Sequence, residues 1–327
     1  MKAFVKRCLI VMAVVVVGLW LNNTSAFETI PDDRKPRLLA HRGIHQIYAG
    51  AQKSNETCTA NPIKPRQHDF IANTRKSMEA AFAAGADIVE LDIHLTPDNV
   101  FAVFHDWALD CQTDGTGVTH EQSFEYLRGL DLGYGYSEDG ETFPLRGTAI
   151  GAMPSLRAVL DASLGGQYLI NFKSNRAEDG YRLASFLEAS DVSAQIFGVY
   201  GGQSPTQSVL ARRVDLRGFD KPALKKCLTS YLLLGWSGVV PEACHDTLVA
   251  LPLDYAPYFW GWPHKFTRRM QSVGSTVILW GPYDGTGFSS GIDSLDTLSK
   301  VPDQFDGVIW TNRIERIGPV FADPETR

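Results

Sequence analysis

The stretch Ala86-Asp87-Ile88-Val89-Glu90-Leu91-Asp92-Ile93-His94-Leu95-Thr96-Pro97-Asp98-Asn99-Val100-Phe101-Ala102-Val103-Phe104-His105-Asp106 reads as two strands joined by a turn. From Ile88 to Leu95 the residues alternate. Glu90, Asp92 and His94 fall on one face, and Val89, Leu91, Ile93 and Leu95 on the other. Thr96-Pro97-Asp98-Asn99 is turn chemistry, and Phe101 to Phe104 is a second apolar run that ends in His105-Asp106. So short a connection cannot make a parallel crossover, so the two runs are expected to pair antiparallel. Folding back carries His105 towards Glu90 and Asp92. Two carboxylates two residues apart with an imidazole nearby suit a hard cation and an acid/base group. A surface strand with charges in water is the plain alternative. The small-residue helix before it, ending in Gly85, argues instead for a central, buried strand, whose carboxylates then need a cation or donors.

Outward from this stretch, strands alternate with helices. Apolar runs begin near residues 37, 88, 168, 196, 214, 248, 276 and 307, giving eight parallel strands, with the run ending at His105 as an antiparallel extra. Helices are expected from Asn73-Thr74 to Ala84, from Pro154-Ser155 to near Gly165, over 177–189, 205–213, 221–234 and 262–273, and a short one within 119–130. Over about 290 residues this alternation predicts a TIM (β/α)₈ barrel with a hairpin after strand 2 and a long insertion, Ile44 to Ala72, after strand 1. A doubly wound sheet is the alternative, but no Gly-x-Gly-x-x-Gly follows the first strand.

The chain has 327 residues, 44% hydrophobic, with a net charge of -6. That is enough for one large domain, and the acidic balance argues against nucleic-acid binding. Residues 1–26 read as a signal peptide: Lys2, Lys6 and Arg7, then apolar Leu9 to Leu21, then Thr24-Ser25-Ala26 as a cleavage site. This leaves a mature domain at 27–327, periplasmic or secreted; an uncleaved membrane anchor is the second choice. Cys58, Cys111, Cys227 and Cys244 remain after Cys8 departs, an even number in an oxidising compartment. Of three connectivities, Cys58–Cys111 and Cys227–Cys244 are favoured, since each ties loop material expected near one barrel end.

In such a barrel the site lies at the C-terminal strand ends. The polar residues there are His41, Arg42, Glu90, Asp92, Asn171 and Lys173, with Trp280, Trp310 and Asn312 as late candidates and His105 joining through the hairpin. This set suits an anionic substrate bridged by a hard divalent metal. His94 faces the same side as Asp92, one step further out. His45 and His68, in the insertion, read as solvated loop residues. The aromatic loop of Tyr255, Tyr258, Phe259, Trp260 and Trp262 is either core, or a site wall or lipid contact.

Leu39-Ala40-His41-Arg42-Gly43, Asn73-Thr74 before a helix, Gly85 to Asp92 and Phe104-His105-Asp106 together resemble the glycerophosphodiester phosphodiesterase family, to which the phospholipase-D toxins of spider venom are related. A weaker match returns at 168–173 and 306–312. The resemblance implies hydrolysis of a small glycerophosphodiester to an alcohol and sn-glycerol 3-phosphate. It implies Ca²⁺ or Mg²⁺ on Glu90 and Asp92, His41 and His105 as acid/base pair, and Arg42 and Lys173 on the phosphate; Trp280, from its place at a strand end, is expected as a further substrate contact. Asn171 stands where the family usually has a carboxylate, and is the expected third metal ligand. Ala72 stands where a Glu commonly precedes Asn-Thr. A monomer is expected. Alternatives are a phospholipase D-type enzyme acting on lysophospholipid or sphingomyelin, with membrane-surface contact, and a non-catalytic exported binding protein.

Overall fold

In the computed structural model, which describes residues 2–28, 35–50, 57–190, 192–285 and 290–322, nine strands form one sheet. They are β1 (Arg37–His41), β2 (Ile88–Leu95), β3 (Phe101–Val103), β4 (Gln167–Phe172), β5 (Ile196–Gly201), β6 (Gly218–Asp220), β7 (Leu248–Pro252), β8 (Thr276–Trp280) and β9 (Val308–Thr311). The order β6-β5-β4-β2-β1-β9-β8-β7 is parallel throughout, and β3 pairs antiparallel with β2. β6 and β7 lie side by side without a described ladder, linked at their base by Thr247 Oγ1 donating to the Gly218 carbonyl at 2.6 Å. The result is a nearly closed eight-stranded barrel, as the alternation predicts.

The helices are α1 (Lys2–Asn23), α2 (Arg75–Ala83), α3 (Phe124–Leu127), α4 (Leu156–Asp161), α5 (Ala177–Glu188), α6 (Gln203–Arg212), α7 (Lys221–Leu234), α8 (His264–Ser272), α9 (Leu295–Leu298) and α10 (Ile314–Ala322). Polar residues start several of them: Thr74, Ser123, Ser155 and Asp220 each accept a hydrogen bond from a first-turn backbone N–H. Two expectations need correction. The strand expected over 214–219 is only Gly218–Asp220. Arg213 and Asp215 pair across a turn there, and Val214 is 85% exposed, so the apolar residue that suggested a strand faces water. The short helix within 119–130 breaks into a 3₁₀ turn at Thr119–Glu121 and α3.

Two apolar layers follow from the alternation in β2, all eight residues of which are buried. Val89, Leu91, Ile93 and Leu95 face outwards into the core between sheet and helices. Ile88 faces inwards to meet Leu39, Leu169, Ile278 and Trp310 inside the barrel. Burying a side chain of this size contributes roughly 1.5–3 kcal/mol, which pins the register, because a slip of one residue would exchange the two faces. A third cluster (including Ile63, Ile71, Phe104, Leu109, Leu130 and Leu145) joins the insertion to the polar 107–153 segment. The Cys58–Cys111 disulfide staples the two together, and Cys227–Cys244 ties α7 to the loop before β7. Both favoured pairings are present.

Candidate active site

Register assembles the site. His41 pairs with Glu90 across β1 and β2, Asp92 with Asn171 across β2 and β4, and Asn171 with Tyr200 across β4 and β5. All sit near the C-terminal ends of adjacent parallel strands. After β1 the chain turns sharply through Arg42 and Gly43, both at positive φ (58° and 75°). A Cβ on Gly43 would stand 2.8 Å from the Ser77 backbone, so only glycine lets this turn pack on α2.

Asp92 is the hub. It is fully buried, and Arg42 Nε lies 3.1 Å from its Oδ2 and Lys173 Nζ 3.6 Å from its Oδ1. Asn73 Nδ2 donates to Oδ2 at 2.9 Å and Asn171 Nδ2 to Oδ1 at 2.8 Å. Burial alone would raise this carboxyl; Lys173 and Arg42 reverse that and hold it below the usual carboxylate range. Lys173 is in turn pulled below its ordinary value, by burial foremost.

Glu90 is different. Its Oε1 accepts from the Tyr200 hydroxyl at 2.7 Å, but Oε2 is buried without a hydrogen-bond partner among the described residues, 3.7 Å from His41 Nε2. Burial, and then Asp92, push its carboxyl up to about 8. An unpartnered, buried carboxylate oxygen is what a cation would satisfy, and the neighbouring donors are hard oxygens, so Glu90 and Asp92 fit a Ca²⁺- or Mg²⁺-type ion. Among the described residues no group of three or more His, Cys, Asp or Glu converges for a metal. Asn171 is the side-chain amide at hand, though its nitrogen here supports Asp92.

The two imidazoles are held alike. His41 Nδ1 bonds Asn312 Oδ1 at 2.6 Å, and Asn312 is fixed by donating Nδ2 to Asp293 at 2.8 Å. His105 Nδ1 bonds Asp106 Oδ1 at 2.7 Å, and that carboxylate also accepts from Thr59 Oγ1 at 2.8 Å. Both acceptors assign the proton to Nδ1 and leave Nε2 free to exchange a proton with a ligand. Burial first and Arg42 next hold both rings well below the usual imidazole value, so both are neutral at pH 7.

The expected residues His41, Arg42, Glu90, Asp92, His105, Asn171 and Lys173 thus come together. Trp280 ends β8 and stacks edgewise on Trp310, its Nε1 buried without a partner among the described residues. Asn73, Tyr200, Asp293 and Thr59 were not foreseen as partners of the site. Each is brought in from a distant part of the chain, and only the Asn73-Thr74 pair carried a local signal, read as a helix cap and as one motif of the family resemblance. His45 needs correction: it is buried, its ring 5.5 Å from that of His41, not solvated. His94 is fully buried beside Trp107 and His120, and His68 is bonded to Gln46. In the insertion, Glu56-Thr57 is the weaker substitute for the acid absent at Ala72, and Glu56 lies outside the described residues.

His45 carries a pH prediction. Burial, then Arg42, push its imidazole down to about 3, so the folded protein resists protonation that the unfolded chain accepts near 6.5. Its contribution is complete above about pH 6.5 and is lost as pH falls towards 3. His45→Gln should make the fall of unfolding free energy between about pH 5.5 and 4 shallower by about 1.4 kcal/mol per pH unit. Urea midpoints across that range test this; parallel curves for the two proteins would mean that His45 charges in the native state.

A (β/α)₈ barrel with carboxylates, two neutral imidazoles and two cations at its mouth defines a class of anion-handling site, and the comparisons give its family. The Glycerophosphoryl diester phosphodiesterase family matches residues 41–227, and the chain belongs to it. A glycerophosphodiester phosphodiesterase of Caldanaerobacter subterraneus is 36% identical over 74 residues, 22% of this chain and 30% of that protein. Human glycerophosphodiester phosphodiesterase 1 is 31% identical over 106 residues, 32% of this chain and 28% of that protein. The matched segments thus span about 30% of these relatives. Among solved structures, the glycerophosphoryl diester phosphodiesterase domain of a Mycobacterium tuberculosis protein superposes with TM-score 0.61 at 16% identity, covering 87% of this chain and 98% of that one. An Oleispira antarctica phosphodiesterase in complex with the product sn-glycerol-3-phosphate superposes with TM-score 0.55 at 16% identity, covering 88% and 97%. These likenesses establish the shared barrel.

Proposed function

We propose that this protein is an exported, divalent-metal-dependent glycerophosphodiester phosphodiesterase that releases an alcohol and sn-glycerol 3-phosphate. The observation that carries the reading is the convergence of His41, Arg42, Glu90, Asp92, His105 and Lys173 on one buried mouth, with Nδ1 of each imidazole committed to a fixed acceptor. Family membership and a relative crystallised with sn-glycerol-3-phosphate support it.

The residues that would hold the metal are Glu90, Asp92 and the Asn171 amide oxygen. Bound there, a divalent ion supplies positive charge against the phosphate oxygens. Arg42 and Lys173 flank Asp92 and would bind the phosphodiester anion through its non-bridging oxygens. One imidazole Nε2 takes a proton from the attacking water as its oxygen bonds to phosphorus. The other gives a proton to the departing alkoxide as the second P–O bond breaks. Both rings are neutral in the free site, and the anion's charge is what allows one of them to carry that proton. Trp280 Nε1, lacking a partner, would donate to the substrate.

The test is hydrolysis of glycerophosphocholine after EDTA treatment and re-addition of Ca²⁺ or Mg²⁺. EDTA should lower the rate by at least about 100-fold, and metal should restore release of glycerol 3-phosphate. Turnover of lysophosphatidylcholine alone would move the reading to a phospholipase D-type enzyme. Binding without turnover under either metal would leave a binding protein.

A further inference from the structure

The apolar helix α1 is joined to the barrel by fitted contacts. Its last carbonyls lack partners within the helix, as at any helix end, and two cations of α8 supply them. Lys265 Nζ donates to the Leu21 carbonyl at 2.7 Å, and Arg269 Nη2 to that of Asn22 at 2.8 Å. Asn22 and Asn23 both donate their Nδ2 to the Trp236 carbonyl, at 3.0 and 2.8 Å. Ser25 then caps α8 from outside: its Oγ accepts from the backbone N–H of His264 and of Lys265, both at 3.2 Å, and donates to the Gly261 carbonyl. Pro263, at the cap position itself, makes no such bond. Glu28 continues the seam with an ion pair to Arg268. Cleavage after Ala26 would remove the Ser25 cap of α8 and both asparagine hydrogen bonds to the Trp236 carbonyl.

The helix is long and apolar enough to cross a bilayer, a test that a signal sequence also passes, so the fitted contacts to the barrel are what favour retention. The apolar stretch Ala3–Asn23 has 21 residues, a mean hydropathy of 2.2 and no burial against the barrel. At 1.5 Å per residue it spans about 30 Å, the thickness of the hydrocarbon core, with the charges of Lys6 and Arg7 at one end and Asn22 and Asn23 at the other. Lys2 precedes this stretch and Lys6 and Arg7 fall in its first two turns, which places that end in the cytoplasm and the disulfide-bonded barrel on the far side.

Where the helix meets the barrel, the surface is apolar. Leu233 is 74% exposed, Val239 59%, and Leu234 and Trp236 about half. Trp260 and Tyr258 extend the patch, since Trp260 Nε1 bonds the Leu232 carbonyl at 2.9 Å. Gly238 packs against Asn22, so the patch begins at the helix exit. Trp20 stacks edgewise on Phe27 at the same level, as in an interfacial aromatic belt.

We propose that residues 2–23 remain attached as a membrane anchor and that the barrel rests on the same bilayer through Leu233, Leu234, Trp236, Val239, Tyr258 and Trp260. The inference is independent of the reaction assigned to the barrel mouth. It is tested on the full chain, expressed in a bacterial host, weighed intact, and reconstituted into phosphatidylcholine nanodiscs that carry an acyl-chain photocross-linker. The expected mass includes the helix, and cross-links fall on 233–239 and 258–260 as well as on the helix. A mass that begins at Phe27 overturns the anchor. Cross-links confined to residues 2–23 overturn the docking surface. The exposed double variant Leu233→Asp, Val239→Asp should keep the anchor's cross-links and lose those at 258–260 at least fivefold; an unchanged yield there also overturns the surface.

Discussion

With glycerophosphocholine as substrate, His105→Asn and His41→Asn are each expected to lower kcat by about 10²–10⁴-fold, the usual share of a positioned acid or base. The geometry makes the effect specific to turnover. Each ring has Nδ1 committed to a fixed acceptor, Asn312 or Asp106, and only Nε2 can exchange a proton with substrate. An asparagine keeps a polar group near the Nδ1 position but has nothing in the place of Nε2. Phosphate binding by Arg42 and Lys173 remains, so KM should change far less than kcat. Steady-state kinetics beside thermal unfolding separate a lost proton carrier from a lost fold. A variant that retains most of its kcat would remove that histidine from the pair.

Asp92→Ala should destabilise the fold by about 3–5 kcal/mol besides abolishing activity. The reason lies in what the carboxylate leaves behind. Arg42 and Lys173 would be two buried cations without a counter-charge, and Asn73 and Asn171 would each lose an acceptor. Glu90→Gln is the control. It keeps an acceptor for the Tyr200 hydroxyl and removes a carboxyl whose ionisation burial opposes, so it should cost little stability while still eliminating turnover. Urea unfolding of metal-free proteins measures both. Equal costs for the two variants would mean that Asp92 is not the hub of the charge network.

Much of this was legible in the chain, because it depends on local order. The alternation of Ile88 to Leu95 separates inward carboxylates from outward aliphatics. The turn at Thr96-Pro97-Asp98-Asn99 returns His105 to the same mouth, where Phe104 N bonds the Asp92 carbonyl at 3.0 Å. Repeated strand–helix units then leave the barrel as the architecture that buries every apolar face.

What only the tertiary structure decided is the company these residues keep. Asn73 lies 19 positions from Asp92, Tyr200 lies 110 from Glu90 and Asn312 lies 271 from His41, and no periodicity relates them. Thr59 reaches Asp106 because the neighbouring Cys58–Cys111 disulfide holds the insertion over the hairpin. His45 reads as loop by composition and is buried because the insertion folds down against His41. Residues 22–26 read as the end of a removable leader, yet they cap α8 and bind α1 to the barrel. In each case the deciding quantity is burial and pairing between distant segments. A sequence orders side chains along a strand, but which groups lose water together, and so must satisfy one another, is settled only when the barrel closes.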